Sequence, residues 1–354
     1  MAGELCGCNN MTAFLAYGEQ SKRQRKYMHQ ALGPASIREY RPLVTMETAS
    51  FLNRLLDDPA DYPSLVRRYA GGLTLFVVYG YRVTSADDAF LTMATKCANL
   101  LINEIGNPGS IWVVDVVPAL RHLPSWLPGM SWKRKAKVWK AQMEEMVDAP
   151  FEFAQDAIRK GTALPSFCQT LLADGEKSLT EQQLFDIKWT ANSMYTAGLI
   201  QHFIHAMVTH PDILARAQAE IDAVVGRERL PSFADRDALP YIECVMSECL
   251  RWSAPVPIGR RAIMRDGTLY PDPYVFSPER FMVQSLDPEL TRRRDPRQYV
   301  FGFGRRRCPG AQLVESSAWL LMASMLATFD MRKAVDASGK IIEPTVAFND
   351  ALFR

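Results

Sequence analysis

Apolar residues recur at helical spacing along most of the chain, and proline or glycine separates one such segment from the next. The stretch SLTEQQL contains the clearest helix start, because Thr180 can cap the helix and Gln183 completes a capping box. The helical pattern then runs to His210, where Pro211 ends it and opens a helix that we expect to stop at Gly226. Since strand signals are few and short, the sequence predicts a mainly α fold.

Two further helices are predicted in the C-terminal third, on either side of the proline-rich stretch Tyr270–Phe281. The first covers Tyr241–Trp252, carries apolar side chains on one side, and is expected to be terminated by Pro255 and Pro257. The second follows Cys308, and its apolar residues form a predicted buried stripe: Val314, Ala318, Leu321 and Met325. With no internal repeat or low-complexity region, residues 1–354 are interpreted as a single domain.

Composition and charge indicate which partners the chain is not expected to bind. The chain has 354 residues, 48% of them hydrophobic, and a formal net charge of only +2, so we expect no nucleic-acid partner. The basic run SKRQRK, residues 21–26, is either a phosphate-binding patch or a solvated helix face, and composition leaves both open. No apolar run approaches the roughly 20 residues that span a bilayer, so no transmembrane segment is predicted.

The cysteines indicate reduced thiols. Their number, seven, is odd, their spacing is scattered, and no secretory signal precedes them. This usage is typical of an intracellular protein and argues against a disulfide framework. Cys6 and Cys8 have no second ligand pair nearby, so a zinc site there is not expected.

The stretch FGFGRRRCPG, residues 301–310, has the composition of a ligand seat. We expect Cys308 to lie just before a helix that begins near Pro309–Gly310, where backbone N–H groups, the helix dipole and nearby arginines favour a thiolate. Gly304 and Gly310 let the backbone approach a flat ligand, and Phe301 and Phe303 offer it apolar cover. With Arg306 placed to bind a propionate, the set describes a thiolate ligand for haem iron.

This stretch matches F-x-x-G-x-R-x-C-x-G at every fixed position, and the chain therefore resembles the cytochrome P450 family of haem-thiolate monooxygenases, in its fungal microsomal form. Two further motifs support the resemblance: E-x-x-R at Glu248 and Arg251, and SPERF at Ser277–Phe281. The resemblance implies a cytochrome P450 fold, here with a reduced β portion. It also implies a buried triad of Glu248, Arg251 and Arg280 that fixes the approach to the cysteine loop.

The resemblance further implies haem b as cofactor and insertion of one oxygen atom from O2 into a small apolar substrate. NADPH–cytochrome P450 reductase would supply the electrons, and we expect a monomer. The family is anchored in the endoplasmic reticulum membrane, whereas no membrane segment is predicted here. One alternative is a degenerate, non-catalytic chain with weak or no haem binding, and another is a peroxide-driven activity that needs no reductase.

The chain also departs from the family pattern. In the W-x-x-x-R helix Arg25 is retained as a propionate ligand, but Ser21 occupies the tryptophan position. The acid-Thr pair that follows Ala197–Gly198 in the family is absent, so no residue is assigned to proton delivery. A strand hairpin is missing near residues 260–262, and the chain is expected to be truncated at both ends. His202 and His205 are interpreted as residues of a helix face.

Overall fold

The computed structural model describes residues 1–85, 87–106, 112–173, 179–194, 199–252, 260–282 and 287–344, with the side chains of Arg260 and Arg261 left out. Within these residues the chain forms two compact units. One contains residues 1–36 and 67–194, and the other contains residues 37–66 and 199–344. The only strand-type pairing in the described part is one antiparallel bridge, between Val335 and Ile341. The mainly α fold is therefore confirmed.

Helices that belong wholly or mostly to the first unit are α1 (Glu19–Leu32), α3 (Tyr62–Tyr79), α4 (Ala89–Asn99), α5 (Val113–Val116), α6 (Ser131–Arg159), α7 (Phe167–Leu172) and α8 (Glu181–Asn192). A π-helical turn, Leu100–Ile105, continues α4. Helix α6 presents Met143, Met146 and Val147 to a core that also contains Trp189 of α8. The long helix α6 thus packs against both α4 and α8.

Helices of the second unit are α2 (Pro34–Asp57, from residue 37), α9 (Leu199–Thr209), α10 (Pro211–Val224), α11 (Pro240–Trp252), α12 (Arg260–Met264), α13 (Pro288–Arg294), α14 (Arg297–Val300) and α15 (Ala311–Thr328). Short 3-10 turns cover Arg236–Ala238, Pro278–Phe281 and Gly304–Arg306. Helices α9, α10 and α11 pack on α15. In the described part of the chain, no helix is both long enough and apolar enough to cross a bilayer.

The capping box at the start of α8 is confirmed. The Thr180 hydroxyl accepts from the Gln183 backbone N–H at 3.2 Å, and the Gln183 side chain accepts from the Thr180 N–H at 2.9 Å. Helix α10 likewise begins at Pro211, and Gly226 follows its end with φ +77°. Prolines 255 and 257, expected to terminate α11, lie outside the described residues, and the helix ends at Trp252.

The predicted start of α15 is confirmed to within two residues, because the helix begins at Ala311 with Gly310 as its N-cap and Cys308 lies just before it. The predicted buried stripe was wrong in detail. It is too narrow, because every residue from Ser317 to Leu326 is buried. A helix that is apolar on all sides is surrounded by other elements. Val314, by contrast, is only half-buried.

Candidate functional site

The cysteine loop runs from the end of α14 to the start of α15. The Cys308 backbone N–H donates to the Phe301 carbonyl oxygen at 2.6 Å, which closes the loop. Inside it Gly302 and Gly304 have φ of +78° and +48°, a region that favours glycine. A Cβ on Gly304 would meet no atom within 4 Å, so the space beside this residue is open. The loop is therefore tightly closed at its base and open at its tip.

The predicted ligand residues of this loop differ in exposure. Phe301 is buried beneath the loop, whereas Gly304 and Arg306 are exposed. Gly310 is half-buried and caps α15 with ordinary negative φ, so conformational freedom of glycine is needed at Gly304 and not at Gly310. Phe303, expected as apolar cover, is 54% exposed and packs edge-on against Tyr299. The structure thus brings Cys308, Phe301, Gly304, Arg306 and Gly310 together in one loop.

Cys308 differs from the other six cysteines. All seven are free thiols, and Cys308 alone is half-buried while the rest are buried. Burial raises the pKa of Cys6 and Cys97 to about 11 and that of Cys8 to about 12. The same cause raises the pKa of the other three buried thiols, Cys168, Cys244 and Cys249. A buried, protonated thiol is a poor metal ligand, so Cys308 is the best candidate on sulfur chemistry.

The residues of the predicted triad lie together below this region. Two nitrogens of Arg251 each contact one oxygen of Glu248 at 2.7 Å, and both side chains are fully excluded from water. Arg280 reaches the same carboxylate at 3.2 Å. The Glu248 carboxylate also accepts the backbone N–H of Ser277 at 2.8 Å. Four donors therefore satisfy one buried carboxylate, as a buried charge requires.

The two arginines also donate hydrogen bonds to backbone carbonyl oxygens of the neighbouring segment. Arg251 donates to the carbonyl oxygens of Met264 and Pro273 at 2.9 and 2.8 Å, and Arg280 donates to that of Pro271 at 2.8 Å. Arg251 also lies over the Tyr270 ring at 5.4 Å. A segment that has almost no regular secondary structure, residues 264–280, is held in place by these side-chain contacts.

The basic segment of α1 lies in the first unit, where Arg25 is half-buried. Its neighbour Arg23 contacts the fully buried carboxylate of Asp186, on α8, at 2.5 Å. Ser21, at the position of the family tryptophan, is buried, so it faces the interior of the unit. Sequence reasoning weighed a phosphate-binding patch against a solvated face. The Arg23–Asp186 pair shows a third use, attachment of α1 to α8.

Two segments were expected to depart from the family pattern. Helix α8 ends at Asn192 and α9 begins at Leu199, and Thr196 and the Ala197–Gly198 pair lie outside the described residues. Residues 260–264, near which a missing hairpin is expected from the sequence, form the short helix α12. On α9, His205 stacks on Trp252 of α11 with ring centroids 5.9 Å apart. Burial lowers its pKa, which fits a packed histidine, and no three-residue metal cluster occurs among the described residues.

Sequence reasoning missed a second polar cluster next to the loop. Arg297 of α14 contacts Glu243 of α11, and Arg236 contacts the same carboxylate at 2.9 Å. Arg297 also donates to Ser247 at 2.9 Å and lies 3.6 Å from Glu315 of α15. The only sequence signal was a set of charged residues on otherwise apolar helices, which is weak because such residues usually face solvent.

Comparisons with known proteins agree with the motifs. The family model for cytochrome P450 matches residues 7–263 and 260–350. The two matches overlap at residues 260–263, close to the position at which a gap in the family pattern is expected from the sequence. Among curated proteins, cytochrome P450 monooxygenase claT of Ampulloclitocybe clavipes is 39% identical over 384 residues, which cover 99% of this chain and 75% of claT. Cytochrome P450 monooxygenase 176 of Postia placenta is 37% identical, over 96% of this chain and 71% of its own length.

A third relative extends the likeness to another genus. Cytochrome P450 monooxygenase CLM2 of Gibberella zeae is 33% identical over 98% of this chain and 71% of its own length. Because the claT alignment has 384 positions and this chain has 354 residues, at least 30 of those positions have no counterpart here. Matches of this extent and identity, together with the cysteine loop and the Glu248 contacts, give one conclusion: the chain belongs to the cytochrome P450 family of haem-containing oxidoreductases.

Proposed function

We propose that the chain binds haem b through the sulfur of Cys308 and acts as a haem-thiolate monooxygenase on a small apolar substrate. The observation that carries the proposal is the contrast among the cysteines. Cys308 is half-buried and lies in a loop whose tip is open. The other six thiols are buried, and burial raises the pKa of each of them. When bound, the haem iron supplies the redox chemistry that activates O2 for transfer of one oxygen atom.

The chain's own residues have separate roles in this proposal. The hydrogen bond from the Cys308 backbone N–H to the Phe301 carbonyl oxygen fixes the backbone that presents the sulfur. The space beside Gly304 is open, so the loop backbone would leave room there for a flat macrocycle to approach. Arg306 and Arg25 are assigned to the propionates, since a guanidinium binds a carboxylate well. Glu248, Arg251 and Arg280 brace the segment that leads into the loop.

Electrons are proposed to come from NADPH through NADPH–cytochrome P450 reductase, and the working unit is proposed to be an intracellular monomer of one domain. These parts rest on the family and on the monooxygenase names of the relatives. Turnover with NADPH and reductase tests the electron source. Turnover with peroxide alone would assign the reductase-independent activity instead.

The decisive experiment is the carbon monoxide difference spectrum of the reduced protein, expressed with haem supplied. We expect a Soret band of the thiolate type in the wild type, its loss in Cys308→Ala, and its retention in Cys244→Ala, which removes a buried thiol of α11 as a matched control. Retention of the band in Cys308→Ala would mean that another side chain binds the iron, and it would overturn the assignment.

A degenerate, non-catalytic chain is the second candidate, and a specific observation favours it. At least 30 positions of the alignment with claT have no counterpart in this chain, as expected if segments of the family pattern are missing. Bound cofactor stabilises a protein by mass action. A folded protein whose melting temperature does not rise with haem concentration, and which gives no thiolate band, would establish this candidate.

A further inference from the structure

Arg297 occupies a junction of three elements in the second unit. It begins α14, the four-residue helix that leads directly into Phe301 and the cysteine loop. Its guanidinium contacts Glu243 and donates to the Ser247 hydroxyl at 2.9 Å, both on α11. Its Nε lies 3.6 Å from the Glu315 carboxylate on α15. One side chain therefore connects the segment before the loop with the helix after it.

The cluster around Arg297 has a surplus of negative charge. Three carboxylates, of Glu243, Asp295 and Glu315, contact Arg297, and the only other cation in this set is Arg236, on Glu243. The Arg297 side chain is 16% exposed and that of Glu315 is 21% exposed, so solvent screens these charges only in part. Removal of Arg297 would leave three carboxylates facing a single guanidinium.

The contacts of Arg297 act on the ends of the cysteine loop. Val300 N–H donates to the Pro296 carbonyl oxygen at 2.9 Å and Gly302 N–H donates to that of Tyr299 at 3.0 Å, so α14 and the loop entrance form one continuous turn. The next contact along the chain is the 2.6 Å bond between Cys308 and Phe301. A displacement of α14 would therefore be transmitted to Phe301 and from there to the backbone of Cys308.

This cluster is separate from the Glu248 contacts. Both acids lie on α11, but five residues apart they project from different sides of the helix. Glu248 holds residues 264–280, whereas Glu243 holds Arg297 and Arg236. Helix α11 thus fixes the approach to the loop from one side and the loop entrance itself from another.

We propose that Arg297 is a positioning residue for the Cys308 loop: by binding Glu243 and Ser247 of α11 and Glu315 of α15 at once, it holds the loop in the geometry that presents the sulfur to haem. The inference rests on the proposed haem-thiolate function. Arg297 itself touches neither cofactor nor substrate in this proposal and acts through Phe301 and Cys308.

The test compares Arg297→Gln and Arg297→Lys with Arg292→Gln. Arg292 is a suitable control because it lies five residues earlier, on α13, in an exposed ion pair with Glu289. The first readout is the carbon monoxide difference spectrum of haem-loaded protein. We expect Arg297→Gln to lose a large part of the thiolate-type band to a form without the thiolate ligand. Arg297→Lys should lose less, since one ammonium keeps the charge but lacks the guanidinium fork, and Arg292→Gln should match the wild type.

The second readout needs no haem. Hydrogen–deuterium exchange of the apo chain is followed in the peptide that contains Cys308 and Phe301. Exchange in Arg297→Gln should be faster by at least about tenfold, the factor that corresponds to about 1.4 kcal/mol. Peptides of α6, in the first unit, serve as an internal control and should exchange as in the wild type, which excludes general unfolding.

A full thiolate band in Arg297→Gln together with loop exchange within twofold of the wild type would overturn the proposal. The outcome is separable from failure of the proposed function. If the wild-type chain takes up no haem, the monooxygenase proposal fails, whereas exchange in the apo loop still decides whether Arg297 orders Cys308.

Discussion

Arg251 binds Glu248 through two nitrogens, one to each carboxylate oxygen at 2.7 Å, and neither side chain is accessible to water. A parallel pair of this kind is the strongest arrangement for an arginine and a carboxylate. Because the pair is buried, its value lies less in attraction than in the cost of leaving either charge alone. The contact makes Glu248 the anchor of residues 264–280.

Replacing Glu248 should therefore lower the stability of the folded chain substantially. In Glu248→Gln the guanidinium of Arg251 remains buried without its counter-ion, so we expect the free energy of unfolding to fall by roughly 3–5 kcal/mol. Urea denaturation followed by circular dichroism measures it. Glu289→Gln removes half of an exposed pair with Arg292 that solvent screens, and it should leave the same quantity nearly unchanged. Equal effects of the two substitutions would refute the anchoring role.

A smaller loss is expected at Glu279, which also belongs to the SPERF segment. The Tyr241 hydroxyl donates to its carboxylate at 2.7 Å, and Arg216 contacts the same oxygen at 3.1 Å. Tyr241→Phe deletes the first contact and leaves the second. Because the Glu279 side chain is 43% exposed and water can replace part of the lost contact, the substitution should cost about 1 kcal/mol. The melting temperature reports the change.

Tyr299→Phe is the matched control for this substitution. Its hydroxyl donates to the Arg293 carbonyl oxygen at 2.9 Å in an exposed position, so water can replace the lost partner. We expect a melting temperature close to that of the wild type. A drop as large as that of Tyr241→Phe would mean that Glu279 has no special role.

Local signals in the sequence predicted much of this structure. The capping box at Thr180 and Gln183 and the helix start at Pro211 depend only on neighbours in the chain, and both were found as predicted. The Glu248 and Arg251 pair, three residues apart, faces one side of α11 for the same reason. Its burial is not a local property, and the motif rather than the spacing indicated it.

Features that depend on packing could not be predicted in this way. Periodicity suggested a stripe on α15, but residues Ser317–Leu326 are buried all round because other helices surround them. The cluster of Arg297 with Glu243 and Glu315 joins residues far apart in the chain. No pattern of spacing marks such a contact.

Thiol chemistry gives a direct test of the contrast among the cysteines. We expect brief treatment of the native apo chain with iodoacetamide near neutral pH to modify Cys308 first, with peptide mass spectrometry locating the label. Burial blocks the other six, and their raised pKa lowers the reactive thiolate fraction about tenfold for each unit. Haem should protect Cys308. Preferential labelling of Cys244 or Cys97 would contradict this assignment.

The pH dependence of stability provides a test of the cluster around α15. Burial raises the pKa of the Glu315 carboxyl, and Arg297 opposes the rise. A carboxyl whose folded pKa exceeds its unfolded value binds more protons in the folded state. The stability that such a carboxyl contributes to the fold is therefore fully present at a pH below the unfolded pKa, and it is lost as the pH rises through the folded pKa. Glu315→Gln removes this dependence, so the variant should gain on the wild type in free energy of unfolding as the pH rises above about 4.

Glu289 supplies the opposite sign for comparison. The hydrogen bond from Arg292 lowers the pKa of its carboxyl, so its contribution is present above the unfolded pKa and disappears as the pH falls. As the pH rises, the free energy of unfolding of Glu289→Gln should therefore fall relative to that of the wild type, while that of Glu315→Gln should rise. Urea unfolding of the three proteins at several pH values measures both slopes. If the two variants shift in the same direction, Glu315 is not the desolvated carboxyl that the Arg297 cluster requires.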